Sequence, residues 1–166
     1  LIQITDLHLS DRTDTPAADA LRWAIDTSNQ LRPDLVAFMG DMTTYGTAES
    51  ARQCLSYATR LSVPLVFPPG TADLLSDGAM AILFDSLEQK SIAIDGIRYL
   101  LPDTSSGGVT ESDRDRLTTE AKSADPLIIL THYPMDTLDA ESRIWMESFL
   151  SDHSVELYLA GHRHFT

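Results

Sequence analysis

The chain has 166 residues, 43% apolar, 22% charged and 7% aromatic, with a formal net charge of −13. That is the size and make-up of one ordinary domain around one hydrophobic core, with neither disorder nor low complexity. No apolar run approaches the ~18 residues of a membrane span, the acidic balance argues against holding duplex nucleic acid through many phosphate contacts, and a lone cysteine, Cys54, permits no internal disulfide and no thiolate cluster.

The sequence opens at Leu1 without a methionine and already reads as a strand, Leu1 to Ile4, so a trimmed segment forming one domain over 1–166 is expected, soluble and cytoplasmic. Thr15 next caps a helix with Pro16 in its first turn and Leu21, Ala24, Ile25 and Ser28 on one side, which Pro33 ends. Leu35 to Phe38 and Leu65 to Phe67 are short apolar runs bounded by Pro, Gly and Asp and read as buried strands, with a helix at about 48–61 between them. From Ser91 to Leu101 two β-like runs flank Asp95-Gly96, a strong hairpin signal. Helices at about 112–123 and 139–152 bracket the strand Leu127 to Leu130, and Val155 to Ala160 is the last strand. This alternation implies an α/β fold with right-handed crossovers and a mainly parallel sheet covered on both faces.

In such a sheet, reactive groups gather beyond the carboxyl ends of the strands. Asp6 and His8 follow the first strand in "ITDLHLS", Gly40-Asp41 the second in "FMGDMTTYG", and Gly70-Thr71-Ala72-Asp73 the third in "FPPGTADLL". His132 follows "LIIL", and the last strand delivers His162 and His164 on either side of Arg163 in "LAGHRHFT". A lone Asp at a strand end is usually a turn residue, and a lone His often only satisfies a carbonyl. The joint pattern is different: four of the five histidines lie at strand ends, leaving only His153 elsewhere. Asp-x-His and His-x-His each place two ligands on one side of an extended segment, because side chains at i and i+2 share a face. So many imidazoles and carboxylates together call for a cation. Mixed nitrogen and oxygen donors suit zinc, manganese or iron, and six of them exceed one closed tetrahedral site, which favours two divalent ions sharing a carboxylate.

These residues resemble the calcineurin-like metallophosphoesterase family, whose ordered pattern is Asp-x-His, Gly-Asp, Gly-Asn-His-Asp or Glu, His, and Gly-His-x-His. The match runs from Ile4 to His164. "DGIRYLLPDTSSGG" also resembles a stretch of the branch that contains cyclic-nucleotide phosphodiesterases. The resemblance implies a β-sandwich of mixed sheets flanked by helices. It implies that Asp6, His8 and His164 hold one metal, that Asp41 bridges, and that His132 and His162 hold the second, with Asp41, His132 and His162 carrying the chemistry. The family's asparagine ligand falls at Thr71 and its phosphate-contacting histidine at Ala72, while Gly70 and Asp73 keep the frame. Threonine is a weak neutral donor, so Thr71 or water is expected to take the asparagine's place at the second metal with lower affinity, and alanine has no proton to give. The chain stops two residues after His164, where relatives continue with more sheet, so a homo-oligomer or additional domain is expected to cover the truncated sheet.

The leading expectation is a dinuclear phosphoesterase that hydrolyses a small phosphomonoester or phosphodiester by metal-bound hydroxide, with general-acid catalysis impaired. Against it stands a degenerate domain that binds metal or phosphate without turnover, and, less favoured by the acidic surface, a nuclease. For a replacement acid, His153 and Tyr133 are the candidates. Arg163 is expected to point away from its neighbours, Ser105 and Ser106 to form a plain turn, and Cys54 to be a small buried residue.

Overall fold

The computed structural model describes residues 1–87, 89–122 and 126–164. The elements are β1 (Ile2–Ile4), α1 (Pro16–Leu31), β2 (Val36–Phe38), α2 (Ala48–Ala58), β3 (Leu65–Val66), α3 (Asp77–Leu87), β4 (Ser91–Ile94), β5 (Ile97–Leu100), α4 (Glu111–Glu120), α5 (Ala140–Asp152) and β7 (Val155–Ala160), with β6 (Leu127–Thr131) between α4 and α5. The mainly parallel sheet expected from the strand pattern is in fact two sheets, as the family resemblance implied. β1-β2-β3 is parallel throughout, and β4-β5-β6-β7 is mixed, its first pair antiparallel and the others parallel.

Four layers follow from which face each strand residue takes. Val36 and Phe38 pack with Ile4 against α1, α2 and α3, in a core that includes Leu21, Ile25, Cys54 and Leu83. Leu127 and Ile129 face α4 and α5, against Leu117, Met146 and Phe149. The alternate residues, Leu35, Ala37 and Met39 on one side and Tyr99, Leu101 and Leu130 on the other, meet between the sheets. Burial on both faces explains why these strands read as unbroken apolar runs. Each fully buried side chain of this kind contributes about 1.5–3 kcal/mol.

The helix signals act as the sequence indicates. Thr15, at extended φ/ψ, accepts from the Ala18 amide, and Arg32 closes α1 in the left-handed region just before Pro33. Thr47, Thr110 and Asp139 cap α2, α4 and α5 in the same way. Asp95 and Gly96, at φ 50° and 79°, make the tight turn of the hairpin, pairing Ile94 with Ile97. α2 stops three residues short of the expected end, and residue 123 of the helix expected at about 112–123 lies outside the described residues. α3 was not foreseen: its run AILF reads equally as a strand. Among the described residues no helix is long and apolar enough to cross a membrane.

Candidate metal centre

The carboxyl ends of β1 and β2 run on as a looser ladder, in which the amides of Asp6 and His8 donate to the carbonyls of Gly40 and Asp41 (3.1 and 3.0 Å). This sets Asp6, His8 and Asp41 side by side. From the other sheet, His132 follows β6 directly, and the Gly161 amide after β7 donates to the His132 carbonyl (3.0 Å). Gly40 and Gly70 let these loops touch. A Cβ on Gly40 would lie 2.6 Å from the Gly70 nitrogen and from His132 Nδ1, and one on Gly70 would lie 2.1 Å from the Asp41 nitrogen.

The expected ligands assemble into two groups. Ligand atoms of Asp6, His8 and His164 lie within 4.8 Å of one another, and so do those of Asp41, His132 and His162. Each carboxylate is held by one oxygen and offers the other. Asp6 Oδ2 accepts from the His162 amide (3.0 Å) and the Thr5 hydroxyl, whereas Oδ1 is buried without a hydrogen-bond partner, 3.4 Å from His164 Nε2. Asp41 Oδ1 accepts from the Ala72 amide (2.7 Å). Its Oδ2 stands between the groups, 3.4 Å from His132 Nε2 and 3.8 Å from His8 Nε2. His132 Nδ1 lies 2.8 Å from the Met39 carbonyl and donates to it, which leaves Nε2 as the lone-pair nitrogen facing Asp41. A buried carboxylate oxygen with nothing to bond, beside imidazole lone pairs, is the donor set of a cation site.

The co-facing of the paired ligands has a different cause from the expected one. Neither Asp-x-His nor His-x-His is extended: φ is 54° at Asp6, 48° at His8 and 70° at His162, with Asp41 at 51°. Of the six non-glycine residues with positive φ among those described, these four are expected ligands. Such strain collects where function over-determines the backbone. A tight turn from the Arg163 amide to the Gly161 carbonyl (2.9 Å) sends His162 to one group and His164 to the other.

Electrostatics tie the centre together. Burial pushes the Asp41 carboxyl up, but the adjoining His132 and the Ala72 amide outweigh it and hold the carboxyl below its ordinary range. Burial pulls His132 down, yet Asp41 and the Met39 carbonyl raise it above the ordinary histidine value. Burial and the neighbouring His132 charge depress His162. Asp73 is raised by burial and buttresses the loops from behind, accepting from the Thr43 amide (2.9 Å), the Thr43 hydroxyl (2.8 Å) and the Gly70 amide (3.1 Å).

The remaining candidates separate cleanly. The Thr71 hydroxyl donates to the Ser105 carbonyl (3.0 Å) and lies 2.7 Å from the Tyr133 hydroxyl. His153 follows α5, its Nδ1 2.9 Å from the Phe149 carbonyl, and precedes β7, at the end of that strand opposite His162 and His164. Arg163 pairs with Asp136 (2.5 Å) at the surface, Ser105 sits in a turn closed from the Gly107 amide to the Thr104 carbonyl, and Cys54 is buried and free. The sequence reading missed how Tyr133 is used: its ring stacks on His162 at 4.2 Å and 22°.

The family model for calcineurin-like phosphoesterases matches residues 1–165. The chain belongs to that family. It is accordingly a metal-dependent phosphoric ester hydrolase. Among solved structures, it is similar to a dimetal phosphatase from Danio rerio, with a TM-score of 0.77 at 15% identity over 98% of this chain and 80% of that one. At that identity the likeness speaks for the phosphoesterase fold, which the two sheets and their flanking helices match. No curated protein matches the chain.

Proposed function

We propose that this phosphoesterase holds two divalent ions, Asp6, His8 and His164 binding one, His132 and His162 the other, and Asp41 both, and that it hydrolyses small phosphate esters with weakened leaving-group protonation. The observation that carries the reading is the position of Asp41 Oδ2 between His8 and His132, with Asp6, His8 and His164 on one side and His132 and His162 on the other. Bound ions of this kind polarise phosphoryl oxygens and make coordinated water acidic, and they would bring about four positive charges into a chain of net charge −13.

The protein's own groups then have separable roles. The Met39 carbonyl fixes the tautomer of His132, and the Ala72 amide orients Asp41 through its backbone, so loss of the family's histidine at this position leaves the bridging carboxylate in place. What Ala72 cannot do is give a proton to the departing oxygen. A missing general acid costs ~10²–10⁴ in rate. Esters with good leaving groups need that proton least, so an activated aryl phosphodiester or monoester is the substrate of choice for detection.

The test is release of the aryl alcohol by purified protein with manganese, beside a calorimetric count of bound ions. Turnover with two ions bound is expected. Two bound ions with no release above background would instead favour a binding domain without turnover, the reading that the Thr71-Ala72 pair motivates.

A further inference from the structure

His132 and His162 each bring a ligand atom to within 4.8 Å of the Asp41 carboxylate, yet they are oriented by different means. His132 is locked by the Met39 carbonyl on its outer nitrogen. His162 Nδ1 faces His132 Nε2 at 3.3 Å, and among the described residues no carbonyl or carboxylate takes its other nitrogen. Imidazole ligands ordinarily need such a partner to hold the ring plane. His162 also projects from backbone at φ 70°, where local geometry alone fixes little.

Tyr133 fills that need. Its ring lies on the imidazole at 4.2 Å between centroids and 22° between planes, while standing edge-on to His132. The tyrosine is itself fixed at three points: its amide donates to Thr104 Oγ1 (3.0 Å), its carbonyl accepts from the Tyr158 hydroxyl (2.8 Å), and its hydroxyl meets Thr71 (2.7 Å). A threonine hydroxyl has one proton and two lone pairs. The Thr71 proton goes to the Ser105 carbonyl, so the Tyr133 hydroxyl is the donor in its contact with Thr71 and occupies a lone pair there.

We propose that Tyr133 is the positioning residue of the second cation site: its ring sets the plane of His162, and its hydroxyl commits Thr71 to the loop scaffold, so that Asp41, His132 and His162 are the complete protein ligand set. The inference rests on the assignment of those three residues to a cation. It differs from the expectation that Thr71 inherits a ligand role from the family's asparagine. It also gives the site only three protein donors, leaving its remaining positions to solvent and substrate.

Zinc titration by calorimetry on the whole chain tests this without any turnover. Tyr133→Leu should weaken the second site about 10- to 100-fold, the usual loss when an imidazole's orienting partner is removed, while the Asp6, His8 and His164 site keeps its affinity and serves as the internal control of folding. Tyr133→Phe keeps the ring and should restore the second site to within about threefold of wild type. Thr71→Val should likewise leave two ions bound. Unchanged second-site affinity in Tyr133→Leu would overturn the positioning role, and loss of the second ion in Thr71→Val would overturn the ligand set, both with the two-ion reading intact. Wild-type protein that takes up no zinc would sink that reading and this inference together.

Discussion

The Asp41 carboxylate, proposed to bridge two ions, is where single atoms decide most. Asp41 touches both groups of donors through one oxygen, so Asp41→Asn should abolish tight uptake of both ions, read as the loss of two calorimetric binding events. Ala72→His restores a proton donor beside Asp41 and should raise hydrolysis of esters with poor leaving groups by tenfold or more, within the ~10²–10⁴ that general acids supply. The metal-free protein adds a pH signature. Asp41, depressed, stabilises the fold above its unfolded value of about 3.9 and loses that contribution as pH falls through its lower folded value. His132, raised, contributes below about 6.5 and loses it as pH rises through its higher folded value. The gap in melting temperature between chelated wild type and Asp41→Asn should therefore be widest at about pH 4–6.5 and narrow on both sides. His162, whose shift has the opposite sign, is present in both proteins and largely drops out of that difference. The six aspartates and histidines that the fold gathers into two donor groups were legible in the sequence because strand ends and donor chemistry mark them. Tyr133 was not, since a stacked ring carries no spacing code.

At the scale of elements, the loops depend on glycines for two separable reasons. Gly96 turns the β4–β5 hairpin at φ 79° with nothing near its would-be Cβ, so Gly96→Ala should cost only the ~1–2 kcal/mol of a left-handed alanine. Gly40 has both a φ of 83° and neighbours at 2.6 Å, so Gly40→Ala adds overpacking of ~1–3 kcal/mol to the same strain and should also weaken metal uptake. Urea denaturation of the two variants checks the ranking. The hairpin and the caps were readable because turn and cap chemistry is local. The division of the strands into two sheets came only through the family resemblance, not through the strand pattern: LVAFM and LIIL bury both faces and give no alternation to say which face meets a helix and which a second sheet. Likewise, i and i+2 spacing suggested extended ligand segments, where tertiary contacts impose left-handed backbone instead.

For the whole molecule, cation binding and folding are linked. The centre joins both sheets, so ligation that occurs only in the folded state adds RT ln(1 + [L]/Kd), about 2.7 kcal/mol at a hundredfold excess over Kd. Raising manganese from none to saturation should lift the melting temperature, and chelation should reverse the shift; a melting curve indifferent to both would deny that the donors act as one centre. The His162 amide reaches Asp6 across 156 residues of chain. Neither group of three donors is therefore whole until His162 and His164 have been synthesised, so a nascent chain that has emerged only as far as α5 has no complete place for a pair of ions. Loading would then follow the joining of the two sheets, a built-in check that only a polypeptide holding β1 and β7 together turns into catalyst.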